Sequence, residues 1–213
     1  MGRARGDGRG RAALVGGVPA LMHIELTDHL KCPGAHDEQF LVLLPGHLEG
    51  RRVVAGHLGC PFCGWSTAWE DGVPTFGEVP SVDDAEPPFD AEAVLAMLGL
   101  EGPGGWVALA GRAAHHAEAL VAALPGVRLV AVNPPGSLVA SDSVSVVRAA
   151  AWPIKRHAMR GVVLGADAAG STSAGLASVL PGLRCVGEGE PPPLGPGDQL
   201  LGAVEGLWVV RKG

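Results

Sequence analysis

Residues 106–135 read WVALAGRAAHHAEALVAALPGVRLVAVNPP, and this stretch decides the fold. WVALA (106–110) is a continuously apolar run of strand length, and RLVAV (128–132) is a second one. The segment between them predicts a helix over Ala113–Leu124, which the turn Pro125-Gly126 ends. Two short apolar strands joined by a helix are the repeating unit of a parallel sheet covered on both faces.

The same pattern continues outward from this unit. Asp90 is suited to begin a helix and Gly99 to end one. Further helices are predicted at Ala91–Leu98 and Gly170–Leu180, and further strands at Val144–Val147, Gly161–Leu164, Leu183–Gly187 and Leu207–Arg211. The connection over 134–142 and the proline-rich segment over 187–198 are short for crossover helices. The fold class predicted is therefore α/β, with a trimmed doubly wound, Rossmann-like parallel sheet.

Two cysteine-containing knuckles precede this region. The first reads Cys32-Pro-Gly-Ala-His36, and the second, separated from it by 23 residues, reads Cys60-Pro-Phe-Cys63-Gly. This is the ligand spacing of a tetrahedral Cys3His zinc site with a structural role. The metal ligands predicted are Cys32, His36, Cys60 and Cys63. Other histidines that could replace His36 are His29, His47 and His57.

The residues around the knuckles predict a small antiparallel β unit. Phe40–Leu44 and Arg51–Leu58 read as strands, with Pro45-Gly46-His47 as the turn between them. Ser66–Glu70 and Val73–Phe76 follow the second knuckle. Because about 50 residues bury too little apolar surface to fold alone, a bound metal would supply part of the folding free energy.

The chain therefore divides into four parts. Residues 1–21 are glycine- and arginine-rich without periodicity, which favours a disordered extension over a signal peptide. Residues 22–76 form the zinc-ribbon unit, and 77–89, GEVPSVDDAEPPF, have the acidic, proline-rich composition of a linker. Residues 90–213 form the α/β domain.

Composition excludes several classes of function. The 213 residues carry a formal charge of −6, which argues against broad electrostatic binding of nucleic acid. Four cysteines in a knuckle pattern indicate metal and a reducing compartment, so the expected location is cytoplasmic. No apolar run reaches membrane-spanning length, and no membrane association is expected.

Residues 26–76, which begin LTDHLKCPGAH and end CPFCGWSTAWEDGVPTF, carry a family resemblance. They resemble the zinc-ribbon family that activates tRNA and protein methyltransferases. Gly72-Val73-Pro74 matches the ending typical of that family. The first knuckle departs from it, since CPxxH stands where the family has CPxC.

Residues 93–211 resemble a class I S-adenosylmethionine-dependent methyltransferase domain. AVLAMLGLEGPGGWVALAG resembles the lead-in helix and first strand, and RLVAVNPP resembles the second strand. VSVVRAAAWPIKRHAMRGVVLGADA resembles the third and fourth strands. The resemblance implies that S-adenosylmethionine would lie against Ala110, Gly111 and Asn133.

The cofactor motifs of that family are degenerate here. Four positions at which the family has acidic residues hold Leu109, Asn133, Ala149 and Arg160. A missing hydrogen bond to a charged group costs about 1.5–3 kcal/mol, so these losses together argue against ordinary tight binding of S-adenosylmethionine. Ala113 and His115 also replace two glycines of the cofactor loop.

Three hypotheses follow from the resemblance. The preferred one is a methyltransferase-like pseudoenzyme with a fused structural zinc ribbon, acting as a non-catalytic or weakly active partner of another methyltransferase or of its substrate. The second is an active methyltransferase with an altered cofactor loop. The third is a zinc-ribbon module that binds RNA or a ribosomal component.

Three further groups of residues attract a functional interpretation. His115-His116 could be catalytic, although we favour one solvated ring and one ring lining the cofactor cleft. Asp167 follows the fourth strand and could be a general base, although a helix cap is favoured. A basic and aromatic cluster is formed by Trp152, Lys155, Arg156, His157 and Arg160. This basic island could bind RNA or an acidic partner, although an ordinary solvated loop is the favoured interpretation.

Overall fold

The computed structural model describes residues 21–82, 84–136, 138 and 141–213. The extension predicted at the start of the chain lies outside these residues except for Leu21. Within the described ranges, the helices are α1 (Ala91–Leu98), α2 (Ala117–Ala123) and α3 (Thr172–Ser178). The strands of the same ranges are β1 (Met22–His23), β2 (Val42–Glu49), β3 (Arg52–Gly59), β4 (Ser66–Trp69), β5 (Thr75–Phe76), β6 (Trp106–Ala110), β7 (Arg128–Val132), β8 (Val144–Ala149), β9 (Met159–Leu164), β10 (Val179–Glu188), β11 (Gln199–Val204) and β12 (Leu207–Arg211).

The described residues build a large sheet of eight strands in the order β11-β12-β10-β9-β6-β7-β8-β5. Neighbours from β10 to β5 are parallel, whereas β12 is antiparallel to both β10 and β11. The five strands β6 to β10 thus stand in the order 3-2-1-4-5 of a doubly wound fold, which reverses between β6 and β9. This topology confirms the predicted α/β, Rossmann-like fold class.

Both faces of the central parallel strands of the large sheet are buried, as the apolar runs predict. Along β6, Val107 and Leu109 pack on one face, and Ala108 and Ala110 pack on the other. Helices α1 and α2 cover the first face. Helix α3 and apolar residues of the N-terminal region cover the second. Side chains of a strand alternate between faces, so a strand covered on both sides must be apolar throughout.

Helix α1 begins and ends at the predicted residues. The side chain of Asp90 accepts a hydrogen bond from the N–H of Ala93 at 2.8 Å. At the other end, Gly99 adopts a left-handed conformation with φ of 54°, and its N–H donates to the carbonyl of Leu95. Asp90 therefore satisfies an N–H that the first turn would leave unpaired, and Gly99 takes a backbone angle that other residues avoid.

The N-terminal region forms a separate antiparallel sheet, in which β3 pairs with β1, β2 and β4. The predicted turn at Pro45-Gly46-His47 is wrong, because these residues lie inside β2. The register shifts on both sides of His47, so a bulge accommodates the proline on this edge strand. The actual turn is at Gly50, where φ is 62°.

The end of the ribbon does not close the antiparallel unit as expected. Instead, β5 pairs in parallel with β8 and forms the edge of the large sheet. Phe76 is 1% exposed, and its ring stacks on Trp65 with centroids 5.3 Å apart. Burying this ring between the two regions explains why the pairing is made there. The boundaries proposed at residues 76 and 90 stay a prediction.

Other differences concern the last third of the chain. Strand β11 was not predicted, because its segment follows a proline-rich stretch and has exposed apolar residues. It forms a hairpin with β12 around Glu205-Gly206, both with positive φ. The helix predicted over 170–180 stops at Ser178, and β10 begins at once. In the part of the chain that the structure describes, no helix is long and apolar enough to cross a membrane.

Candidate metal centre and cofactor cleft

The four predicted metal ligands converge on one point. The ligand atoms of Cys32, His36, Cys60 and Cys63 all lie within 4.8 Å of one another. Cys32 Sγ is 3.6 Å from Cys63 Sγ, and Cys60 Sγ is 3.7 Å from His36 Nε2. Zinc–sulfur bonds of about 2.3 Å in a tetrahedron place two sulfurs about 3.8 Å apart, so the cluster has the size of a zinc site.

The backbone of the first knuckle is shaped around this cluster. The N–H of Gly34 donates to Cys32 Sγ at 3.3 Å. A Cβ at Gly34 would lie 2.9 Å from His36 Nε2 and 3.2 Å from Cys63 Sγ, so a larger residue would enter the space between the ligands. Because glycine alone leaves that space open, this residue adapts the CPxxH knuckle to a four-ligand centre.

The orientation of His36 suits a metal ligand. Its Nδ1 lies 2.6 Å from the carbonyl of Asp37, to which it can donate, and this leaves Nε2 free to face the thiols. Carbonyl oxygens often fix ligating histidines in this way. Of the alternative histidines, His29 packs against Trp106 and His47 lies near Glu49. His36 is thus the histidine that joins the three cysteines.

The electrostatics of the cluster favour thiolate at Cys60. Burial acts to raise the pKa of Cys60, but hydrogen bonds from the backbone N–H groups of Cys63 and Phe62, together with those from the thiols of Cys32 and Cys63, outweigh it and lower the pKa to about 6. Thiolate is the form of cysteine that binds metal. Three sulfurs and one nitrogen supply four ligand atoms, which is the number that a tetrahedral zinc site uses.

A second candidate site lies at the carboxyl ends of the parallel strands. A cavity of about 620 Å³ opens beside the point where the strand order reverses, which is where open α/β sheets bind ligands. Ala110, Gly111 and Asn133, the predicted cofactor residues, all line it. Cys32 and His36 line it from the ribbon side, so the metal cluster forms part of its wall.

The loop that follows β6 is occupied by a carboxylate of the chain itself. Both carboxylate oxygens of Asp167 accept the backbone N–H of Arg112, at 3.0 and 3.1 Å. Gly111 has φ of 58°, and a Cβ at this residue would overlap with the Asp167 carboxylate. Asp167 therefore caps this loop, whereas the sequence favoured a cap on the helix after β9.

Arg112 is held from its other end by a buried ion pair. Its guanidinium contacts Glu188 at the end of β10, with Nε 3.0 Å from Oε2, and the Glu188 side chain is 4% exposed. Arg112 thus joins Asp167 to Glu188 across the sheet. This network was missed, because Arg112 lies 55 and 76 positions from its partners and no local motif marks it.

Asn133 lines the cavity, but its side-chain amide is bound to the neighbouring strand. Its side-chain oxygen accepts the N–H of Ala149 at 2.7 Å, and its side-chain nitrogen donates to the Ala149 carbonyl at 2.8 Å. Asn133 and Ala149 are two of the four positions at which the methyltransferase family has acidic residues, and here they hydrogen-bond to each other. A cofactor role for Ala110, Gly111 and Asn133 stays a prediction.

The remaining sequence candidates lie elsewhere. Neither His115 nor His116 lines the cavity, so the expected cleft histidine is wrong. His116 packs under Phe89 with ring centroids 5.1 Å apart. Trp152 of the basic island is buried and donates Nε1–H to Ser178 at 2.7 Å, so it is a core residue.

Comparisons with known proteins give no family assignment. No protein-family model matches the chain, and no curated protein matches it. Among solved structures, the complex of the Haloferax volcanii Trm112 methyltransferase activator with a protein named as a methyltransferase matches at 17% identity and a TM-score of 0.37. The match covers 46% of this chain and 50% of the other, so the chain spans about half the length of that relative. P. horikoshii TYW2 bound to MeSAdo matches at 12% identity and a TM-score of 0.36, over 72% of each chain. Similarity at this level carries no conclusion about activity.

Proposed function

We propose that this chain is a methyltransferase-like protein whose cofactor site is degraded and whose zinc ribbon is structural. It acts as a non-catalytic or weakly active partner of another protein, either a second methyltransferase or the substrate of one. A reducing compartment such as the cytoplasm suits its thiolate ligands. The proposal rests on the sequence resemblance, on the doubly wound strand order, and above all on the state of the loop after β6.

The observation that carries the proposal is the carboxylate of Asp167 on the N–H of Arg112. In open α/β sheets the loop after the first strand approaches the ligand with its backbone. Here that backbone already binds an internal anion, and Arg112 is tied to Glu188. A ligand would have to displace a charge-assisted hydrogen bond before it could use the loop.

The positions of the missing acidic residues support the same function. Leu109 is fully buried in the sheet, and both amide atoms of Asn133 are engaged by Ala149. Arg160 lies at the opposite end of the strands from the cavity, so the residue type at this position has no bearing on binding there. We therefore infer that no carboxylate at these positions is available for the amino group, ribose or adenine of S-adenosylmethionine.

Calorimetry with S-adenosylmethionine and S-adenosylhomocysteine tests the proposal. We expect no wild-type binding tighter than about 100 μM. Replacing Asp167 with alanine frees the N–H of Arg112, and we expect affinity to rise about tenfold if the internal anion limits binding. The matched control is Glu118→Ala, which removes an exposed carboxylate from α2. Tighter wild-type binding than this threshold would contradict the proposal.

One observation favours the second candidate, an active methyltransferase with an altered loop. The cavity of about 620 Å³ has the volume of a small-molecule site and lies at the expected end of the sheet. In that case backbone groups around Ala110 and Gly111 would hold the cofactor in place of carboxylates. Micromolar binding of S-adenosylmethionine by the wild type would favour this function instead.

A further inference from the structure

A second large cavity lies at the opposite end of the parallel strands. It has a volume of about 830 Å³ and is lined by residues at the amino ends of β6, β7 and β9, among them Trp106, Arg128 and Arg160. We call it the amino-end cavity. No residue lines both this cavity and the one at the carboxyl ends, so the two are separate sites.

The amino-end cavity is rich in cations. Arg128, Lys155, Arg156 and Arg160 line it, against the carboxylates of Glu25 and Asp28. Glu25 is already shared between the guanidinium groups of Arg51 and Arg128. Among the residues that the structure describes, no ion pair is formed by the other three cations: Lys155, Arg156 and Arg160.

Two of these cations are held in place by neutral groups. Lys155 donates from Nζ to the backbone carbonyl of Asp28 at 2.8 Å. Arg160 donates to four backbone carbonyls, those of Glu101, Gly102, Pro103 and Gly104. These bonds fix the side chains without neutralising their charge. Ordered cations lose less conformational entropy when they bind an anion.

The concentration of positive charge here contrasts with the chain as a whole. The formal net charge is −6, and four of the 16 lysines and arginines precede Leu21. Of the other twelve, six line the amino-end cavity or a neighbouring cavity. The neighbouring cavity shares Arg128 with the amino-end cavity and adds Arg51 and Arg52. Carboxylates of this second cavity are Glu49 and Asp142. A cationic face on an acidic chain would attract an anionic ligand and orient its approach.

Flat rings accompany the cations. The guanidinium of Arg128 lies over the ring of Trp106, 5.8 Å from its centroid, and the ring of His29 lies 5.8 Å from the same indole. Burial lowers the pKa of His29, against the opposing charge of Asp28 and with a smaller contribution from Lys155. Trp106 is 5% exposed, so its ring positions Arg128 and offers no face on which a base could stack. Contact with an anionic ligand would therefore be made by the cations.

We propose that the amino-end cavity binds the phosphate backbone of single-stranded RNA through Arg128, Lys155, Arg156 and Arg160. An acidic protein fits less well, because protein interfaces need buried apolar anchors, and the apolar lining here is limited to Trp106, Ala158 and Leu180. Guanidinium groups match phosphate geometry. The proposal is independent of the proposed function, because it concerns the other end of the strands.

Fluorescence anisotropy with a labelled single-stranded RNA tests the inference on the full chain across a salt series. We expect wild-type affinity to fall steeply as salt increases. In Lys155→Gln/Arg156→Gln, affinity at low salt should fall at least about tenfold, and the slope of log K against log salt should decrease by about 0.7 per lost phosphate contact. Unchanged zinc content and circular dichroism would show that the variant is folded.

The control is Arg148→Gln/Arg211→Gln, which removes the same charge outside the cavity and should retain wild-type affinity within about twofold. Equal loss in both double variants would overturn the proposal, since binding would then depend on net charge alone. The absence of RNA binding at low salt would overturn it as well. So would tighter binding of a polyglutamate peptide, which would assign the cavity to an acidic protein.

Discussion

At the residue scale, His116 shows how a buried titratable group couples the fold to pH. It is 7% exposed and packs under Phe89. Burial, followed by the charge of His115, lowers its pKa below the usual value of 6.5, despite the opposing charges of Asp90 and Glu188. The neutral form is therefore the one that the folded chain accommodates.

His116→Leu should reduce the loss of stability in acid. In the wild type, the unfolded chain binds a proton below pH 6.5 that the folded chain binds only at lower pH, so stability is retained above pH 6.5 and lost as the pH falls below it. Leucine removes this dependence. As the pH falls below 6.5, the unfolding free energy of the variant should therefore increase relative to that of the wild type, by up to about 1.4 kcal/mol per pH unit.

Urea unfolding at several pH values between 7 and 5 measures this difference. Protonation of the metal ligands affects both proteins alike and therefore cancels. His47→Leu serves as the control, because His47 is exposed. A constant difference across the range would show that His116 does not carry the pH dependence.

At the element scale, the two-residue strand β5 joins the ribbon to the sheet. Its backbone pairs with β8, and Phe76 adds a ring buried against Trp65. The energy of this junction lies mostly in the side chain, because two residues form few ladder hydrogen bonds.

Phe76→Ala should lower the unfolding free energy by about 3–5 kcal/mol, since it removes a fully buried ring and leaves a cavity. The same substitution at Phe40, which is 53% exposed, should cost less than about 1 kcal/mol. Denaturant unfolding of the metal-loaded proteins compares the two. Equal losses would mean that β5 does not anchor the ribbon.

Elements were predicted well where local signals and burial agree. Strands β6, β7 and β12 begin and end at the predicted residues, because each is apolar and bounded by turn residues. Strand β2 was cut short at Pro45, since a bulge inside an edge strand and a turn have the same local sequence. The pairing of β5 with β8 could not be predicted, because the choice of partner depends on contacts between segments some 70 residues apart.

The candidate sites, like the strands, could be predicted only where the sequence signal is local. The convergence of the four candidate metal ligands could be predicted because each knuckle places its pair locally, and the fold only has to bring two pairs together. That they bind a metal stays a prediction. The capping of the β6 loop by Asp167 depends on long-range geometry, although the sequence did mark Asp167 as a residue on the rim.

At the scale of the whole molecule, the ribbon and the sheet share one apolar core. Met22, Leu26 and Leu58 from the ribbon region belong to the same buried cluster as Val130 and Val162 from the sheet. The metal cluster is part of this arrangement, since Cys32 and Cys60 are buried members of that cluster. Metal binding should therefore stabilise the α/β region as well as the ribbon.

Mass spectrometry of the native protein should find about one zinc ion per chain. Cys60→Ser should lose the zinc and unfold at a lower temperature, whereas Cys185→Ala, a change at a buried cysteine of β10 outside the cluster, should keep it. A chelator should lower the unfolding temperature of the wild type but not of Cys60→Ser. A wild type without metal would refute the zinc assignment.

The position of β5 links metal supply to aggregation. Along the edge that faces β5, the backbone N–H of Arg148 donates to the carbonyl of Pro74, and that of Ala150 donates to the carbonyl of Phe76. If zinc is withdrawn and the ribbon detaches, these amides lose their partners and a bare strand edge faces solvent. Such an edge is a template for pairing with another chain. Zinc starvation should therefore precipitate this protein before it denatures the rest of the sheet.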